Sequence, residues 1–321
     1  MIRWGAIVLA GAVLMAAQPG LAEKLPLARS EVSDGAFRIE LVDLTPRFMA
    51  FHGAARGVAD PAARFALWQE HYGFAAVPPG PQGEQMAREM LDEAWPQYGA
   101  HIADIQRGAA TFGSEPMNTL KAVAELLGAS EPIDVRFVTY VGAFDDNAFV
   151  AGVDGRAIVN FPVEMMPARR RLVLPHEMTH AVHMKLAKAS GGWERTIAAT
   201  LLQEGLAMHV ARELAPGEPI TAYVEHRPGW WADAEARRGD ILSGILPALA
   251  EKDGETVFRF TMGNGPAGIE REAYAAGWFV VEHMRRSGMS LAEIARISEA
   301  DMPAAVGEVI GKMVAKAPKA S

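Results

Sequence analysis

Apolar and polar positions along this chain change period twice. From Phe37 to Leu127 the spacing is mostly helical, in stretches such as AARFALWQEHYGF and EQMAREMLDEAWPQY separated by a VPPGPQG loop at 77–83. At Pro132 the pattern shifts. IDVRFVTYVGAF is rich in β-branched and aromatic residues, and NAFVAGVDGRAIVNF sets Asp154-Gly155 between two apolar runs, a strong hairpin signal. After Met166 helical spacing returns and continues to the end. Helices, then a small antiparallel sheet, then helices again predict an α+β fold that is mostly helical, with a soft boundary near 130.

The first residues change that picture at one end only. MIRWGAIVLAGAVLMAAQPGLAEK has Arg3, then an uncharged run from Trp4 to Ala17, then a Pro19-Gly20 turn and the small residues Gly20 and Ala22, the pattern of a secretory signal peptide. The apolar run is shorter than the roughly 20 residues a membrane-spanning helix needs, so cleavage near Ala22 is expected and no stable span after it. The expected organisation is a signal peptide at 1–22, a helical region at 23–130, a catalytic domain at 131–311 and a flexible Lys/Ala/Pro tail at 312–321. Residues 23–130 read as an integral subdomain rather than a pro-segment, because no evident processing site follows them.

Composition narrows the chemistry. The chain has no cysteine, which excludes disulfides, thiolate metal sites and thiol nucleophiles, so any metal must be held by His, Asp or Glu. Its net charge of −8 becomes −9 once Arg3 leaves with the signal peptide, and nothing basic invites nucleic acid.

Three of the nine histidines fall within LPHEMTHAVH at 174–183. His176 and His180 are four residues apart, so on a helix they share one face and can converge on a single ion. Glu177 lies about 60° from His180 around the same helix, beside a metal rather than on it, where a base must stand to take a proton from water. His183 is seven residues, about 10.5 Å, beyond His176 and cannot join both others on one tetrahedral ion. It is read as a core residue or a support to the ligands.

The segment TIAATLLQEGLAMHVA, at 196–211, holds one formal charge, Glu204. Leu202, Leu206, Val210 and Leu214 form one stripe, while Glu204 faces Ile197, Thr200, Ala207 and Ala211, so both faces are expected to be buried. A carboxylate there is costly unless a cation meets it. Glu204 is therefore the candidate third ligand, completing a His/His/Glu set with an open position for water, the donor set of a catalytic zinc. Gly205 is tolerable in such a helix if another backbone passes close.

With these residues in view, HEMTHAV resembles the zinc helix of thermolysin-like metallopeptidases, and NAFV at 147–150 resembles their substrate-binding edge strand. TLLQEGLAMHVARE and EAYAAGWFVVEHM resemble the YjaZ-type predicted zinc proteases. Both groups are gluzincins, and the likeness covers roughly 131–290. It implies one zinc ion on His176, His180 and Glu204, Glu177 as general base, and Asn147 and Ala148 holding the substrate backbone. The family's oxyanion-stabilising residue has no motif here; Tyr274 is the first choice, with His226 and His283 behind it. Where thermolysin-like enzymes have an aspartate four residues after the glutamate ligand this chain has Met208, and Pro175 directly precedes His176, starting or kinking the helix.

The expectation is thus a secreted or periplasmic zinc metallopeptidase acting on a peptide or protein. The alternative is a catalytically inactive, zinc-containing periplasmic binding or scaffold protein, and a third reading is a coincidental motif without metal. Elsewhere Arg169-Arg170-Arg171 reads as a solvated face, and Trp230-Trp231 as core or interface.

Overall fold

The computed structural model describes residues 25–77, 80–192 and 195–315. The signal-peptide reading of 1–22 and the tail residues 316–321 lie outside them. The described residues divide into two compact units that interleave in sequence: one holds those up to 118 together with 132–170, the other 119–131 and those from 171 to 315.

The first unit contains a five-stranded sheet of β1 (Ala28–Asp34), β2 (Phe37–Asp43), β3 (Ile133–Tyr140), β4 (Phe149–Val153) and β5 (Arg156–Pro162), in the order β1-β2-β3-β5-β4. The pairs β1–β2 and β4–β5 are antiparallel, whereas β2–β3 and β3–β5 are parallel. The sheet is therefore mixed, which corrects the antiparallel expectation, while the α+β, mostly helical character stands. Parallel neighbours need a crossover. Between β2 and β3 the chain forms α1 (Thr45–Ala55), α2 (Pro61–His71), α3 (Pro81–Ala110) and α4 (Glu115–Leu126). FRIELVD at 37–43 belonged to the stretch read as helical, yet it alternates apolar and polar residues and pairs with β3 along its whole length.

The hairpin signal holds. Val153 pairs with Arg156, and Asp154 and Gly155 both take positive φ, 51° and 75°, as a twist-matched two-residue turn requires. One face of the sheet packs Ile39, Val135, Phe137, Val159 and Phe161 into the core. On the other, Glu40 draws in Arg29, Arg136 and Arg156 at 3.2, 3.0 and 2.6 Å. Arg170 departs from the expected solvated face. It is buried, pairs with Glu115 at 3.2 Å and lies over the Phe112 ring at 4.6 Å.

Helix α5 (Pro167–Leu186) starts eight residues before Pro175, so this proline lies inside the helix rather than at its start. The second unit continues with α6 (Ile197–Leu214), α7 (Thr221–Val224), α8 (Trp230–Ala236), α9 (Arg238–Ile245), α10 (Gly254–Thr261), α11 (Glu272–Arg286), α12 (Leu291–Ile294) and α13 (Met302–Ala315). Helix α13 runs through 312–315, the start of the expected tail. No helix among the described residues is long and apolar enough to cross a membrane. Trp230 and Trp231 are core residues, 0% and 4% exposed.

Helix α6 is the centre of this unit, buried at every residue from Ile197 to Ala211. Its tightest neighbour is α11. A Cβ at Gly205 would overlap the Gly277 carbonyl and approach Val281 Cγ2 to 2.9 Å, and one at Gly277 would overlap the Leu201 carbonyl and lie 3.0 Å from Gly205 N. Two glycines thus let two helix backbones touch. Nearby, His209 stacks on Trp278 with ring centroids 4.1 Å apart and its Nε2 3.2 Å from the Trp278 carbonyl.

Two outcomes follow from this packing. Gly205→Ala gains helix propensity but forces the backbones apart, and is expected to destabilise the protein by roughly 1–3 kcal/mol in urea denaturation; a variant as stable as wild type would show that the contact is slack. Burial pushes the His209 imidazole down to about 4, with Arg285 and Arg212 adding to the effect and the Trp278 carbonyl opposing it. Below its ordinary value of about 6.5 the unfolded chain binds a proton there that the folded chain refuses, so stability falls as pH drops from about 6.5 towards 4. His209→Phe should lessen that slope, and an unchanged slope across a urea–pH series would count against it.

Candidate metal centre

His176 and His180 lie one turn apart on α5, and Glu204 lies in the second turn of α6. The fold brings all three together. The two Nε2 atoms are 3.1 Å apart, and Oε2 of Glu204 is 3.2 Å from His176 Nε2 and 3.6 Å from His180 Nε2. Three ligands bonded to zinc at 2.0–2.1 Å in tetrahedral directions would stand about 3.3 Å apart. The observed triangle has nearly those edges. Two imidazoles and one carboxylate also form the donor set of a catalytic zinc site, so the residues present fit the ion. Among the described residues this is the one such group of His, Asp and Glu side chains.

Electrostatics agree with that geometry. Burial by itself would raise the Glu204 carboxyl, which is 1% exposed, but the facing imidazoles of His180 and His176 hold it well below the usual carboxylate range. It is an anion ready for a cation. Glu177 differs. Burial pushes its carboxyl up, His176 and His180 oppose that, and Glu204 adds to it. Its Oε2 is buried without a hydrogen-bond partner. That oxygen thus lies within the field of both imidazoles without a hydrogen bond of its own.

His183 is completely buried, neither ring nitrogen has a hydrogen-bond partner, and burial pushes it down to about 3. It is a neutral core residue outside the ligand triangle. Tyr274, near the start of α11, is also buried. Burial raises its hydroxyl to about 12 and the Glu204 charge adds to the shift, which puts the phenol within electrostatic reach of the ligand set. Arg271 lies 4.0 Å over its ring. His226 instead contacts Glu270 Oε2 at 3.2 Å and is pushed down to about 4, first by burial and then by Arg271. His283 is half-buried nine residues after Tyr274, about 13.5 Å further along α11.

Asn147 and Ala148 belong to the first unit, where they lead into the edge strand β4. Both are buried. Tyr140 donates its hydroxyl to the Asn147 carbonyl, whereas the Asn147 amide group has no hydrogen-bond partner on either atom.

Sequence reasoning missed Arg195. Its Nη2 lies 3.7 Å from Glu204 Oε1, and its Nε donates to Thr200 Oγ1 at 3.0 Å. The single charge of the 196–211 segment is met by this guanidinium as well as by the imidazoles. Arg195 stands just ahead of α6, so helical periodicity could not bring it to Glu204.

No protein-family model, curated protein or solved structure matches the chain. The resemblance to gluzincins therefore rests on the motif residues themselves.

Replacing Glu204 by Gln should strip zinc from the purified protein at neutral pH, since an amide is a poor substitute for a carboxylate. The metal-free variant should melt no higher than metal-free wild type, because Arg195 loses its carboxylate. His183→Ala should retain stoichiometric zinc and lose only packing. Zinc content and melting with and without chelator decide this, and zinc lost from His183→Ala but kept in Glu204→Gln would reverse the assignment.

Proposed function

We propose that the chain is a zinc-dependent metallopeptidase, a hydrolase that cleaves peptide bonds in an exported compartment. The observation that carries this reading is the triangle of His176, His180 and Glu204, with edges near those of tetrahedral zinc ligands, together with the buried, unpartnered Oε2 of Glu177 on the same helix. The export part rests on the signal-peptide pattern of residues 1–22.

When bound, zinc would supply Lewis acidity, lowering the pKa of water and polarising a carbonyl. The remaining work falls to side chains of this protein. His176 and His180 keep their Nε2 atoms together from one helix face, and Glu204 brings the negative charge from the next helix. Glu177 accepts the proton of the attacking water and delivers it to the leaving amine. Burial holds its carboxyl above the usual carboxylate range, with His176 and His180 opposing. Tyr274, kept protonated by a pKa near 12, has a hydroxyl to donate to the developing oxyanion. The resemblance assigns Asn147 and Ala148, at the head of β4, to the substrate backbone.

Two measurements on the mature chain test this. Zinc stoichiometry separates a metal site from a coincidental motif, and hydrolysis of a peptide library with and without chelator separates a peptidase from an inactive zinc-containing binding protein. Glu177→Gln is expected to keep its zinc and lose hydrolysis by about 10²–10⁴-fold, the loss typical of removing a general base. Near wild-type turnover in that variant would rule this mechanism out.

A further inference from the structure

Glu204 is met on both of its oxygens. Its Oε2 turns to the imidazoles of His176 and His180, while Oε1 turns to Nη2 of Arg195. Only 11% of the Arg195 side chain is exposed. The guanidinium is anchored by its Nε to Thr200 Oγ1, in the first turn of a helix whose start is itself capped by Thr196 accepting from Ala199 N at 3.2 Å. It is thus tied to α6 by one nitrogen and directed at the carboxylate by another.

We propose that Arg195 is a positioning residue that commits Glu204 to offering one oxygen, Oε2, to the metal and withholds the other. This rests on the zinc reading of the site and adds to it how the third ligand is controlled. A carboxylate can give a cation one oxygen or both. With both, the coordination sphere fills further and its open position narrows; with one, the place for water is preserved. Arg195 favours the second arrangement by occupying Oε1 with its own charge. It also draws negative charge away from the metal side of the carboxylate, which leaves a bound cation the stronger Lewis acid. Partners that orient a ligand from behind in this way shape both affinity and reactivity.

The test uses the full mature chain loaded with cobalt(II), whose visible absorption is intense in four-coordinate sites and weak in five-coordinate ones. Wild type is expected to give the intense spectrum. Arg195→Met should give the weak one, because the freed Oε1 can then join the metal. Arg195→Lys, which keeps the charge, should recover most of the intensity. Thr200→Val releases the tether without removing a charge and should reproduce the Met effect in smaller measure, so the question stays answerable if Arg195→Met does not fold. Spectra of Arg195→Met or Thr200→Val that superimpose on wild type overturn the proposal. Wild-type protein that takes up neither cobalt nor zinc removes the metal site itself, which is a failure of a different kind.

Discussion

A carboxylate buried to 1% exposure in an apolar helix is costly unless polar or charged partners meet it, and at Glu204 three side chains from outside its helix do so. The hydrophobic pattern of α6 supplies no partner, since every residue from Ile197 to Ala211 is buried and Glu204 is the one formal charge among them. Compensation comes from outside the helix. Helix α5 presents two imidazoles on one face, and Arg195, two residues before α6, reaches Glu204 with its guanidinium. The site is therefore a place where packing drives a charge inside and neighbouring elements are set to receive it.

The same helix ties the site to the rest of the unit through its glycine. Gly205 directly follows Glu204, and its missing side chain lets the backbone of α11 come against α6 at Gly277. Tyr274 lies three residues before Gly277, nearly one turn, so the contact that closes the two helices also sets how far the phenol stands from the carboxylate. A residue with a side chain at either glycine would separate the backbones and move Tyr274 with them.

How much of this is legible in the sequence depends on whether a feature is local. The His176–His180 spacing, the Glu177 offset and the Asp154-Gly155 turn are written within a few residues and need only helix or hairpin geometry. The burial of Glu204 follows from the composition of its own segment, and Gly205 pointed to a close backbone that the structure supplies as Gly277. What was not legible is what depends on distant pairing. FRIELVD has a strand period, but it is followed by a long helical run, and no local signal says that it lies parallel to a strand beginning at Ile133. Arg170 belongs to a run of three arginines that reads as solvated, and only its neighbours Phe112 and Glu115 bury it. Arg195 is outside any helical period, so nothing in its spacing connects it with Glu204.

Arg195 also changes what the lone charge of the 196–211 segment means. With no other cation near, a buried glutamate would make the fold depend on its metal, as in sites that stay unfolded without one. Here the carboxylate has the guanidinium at 3.7 Å and two imidazoles on its other oxygen. Part of its charge is thus met within the protein, by the Arg195 guanidinium. A site whose scaffold stands on its own can keep one coordination position open without losing stability, because the ion is not asked to hold the protein together. Structural sites, which close all four positions, carry that burden instead. In Glu204 the guanidinium faces Oε1, and Oε2 is left to the imidazole side.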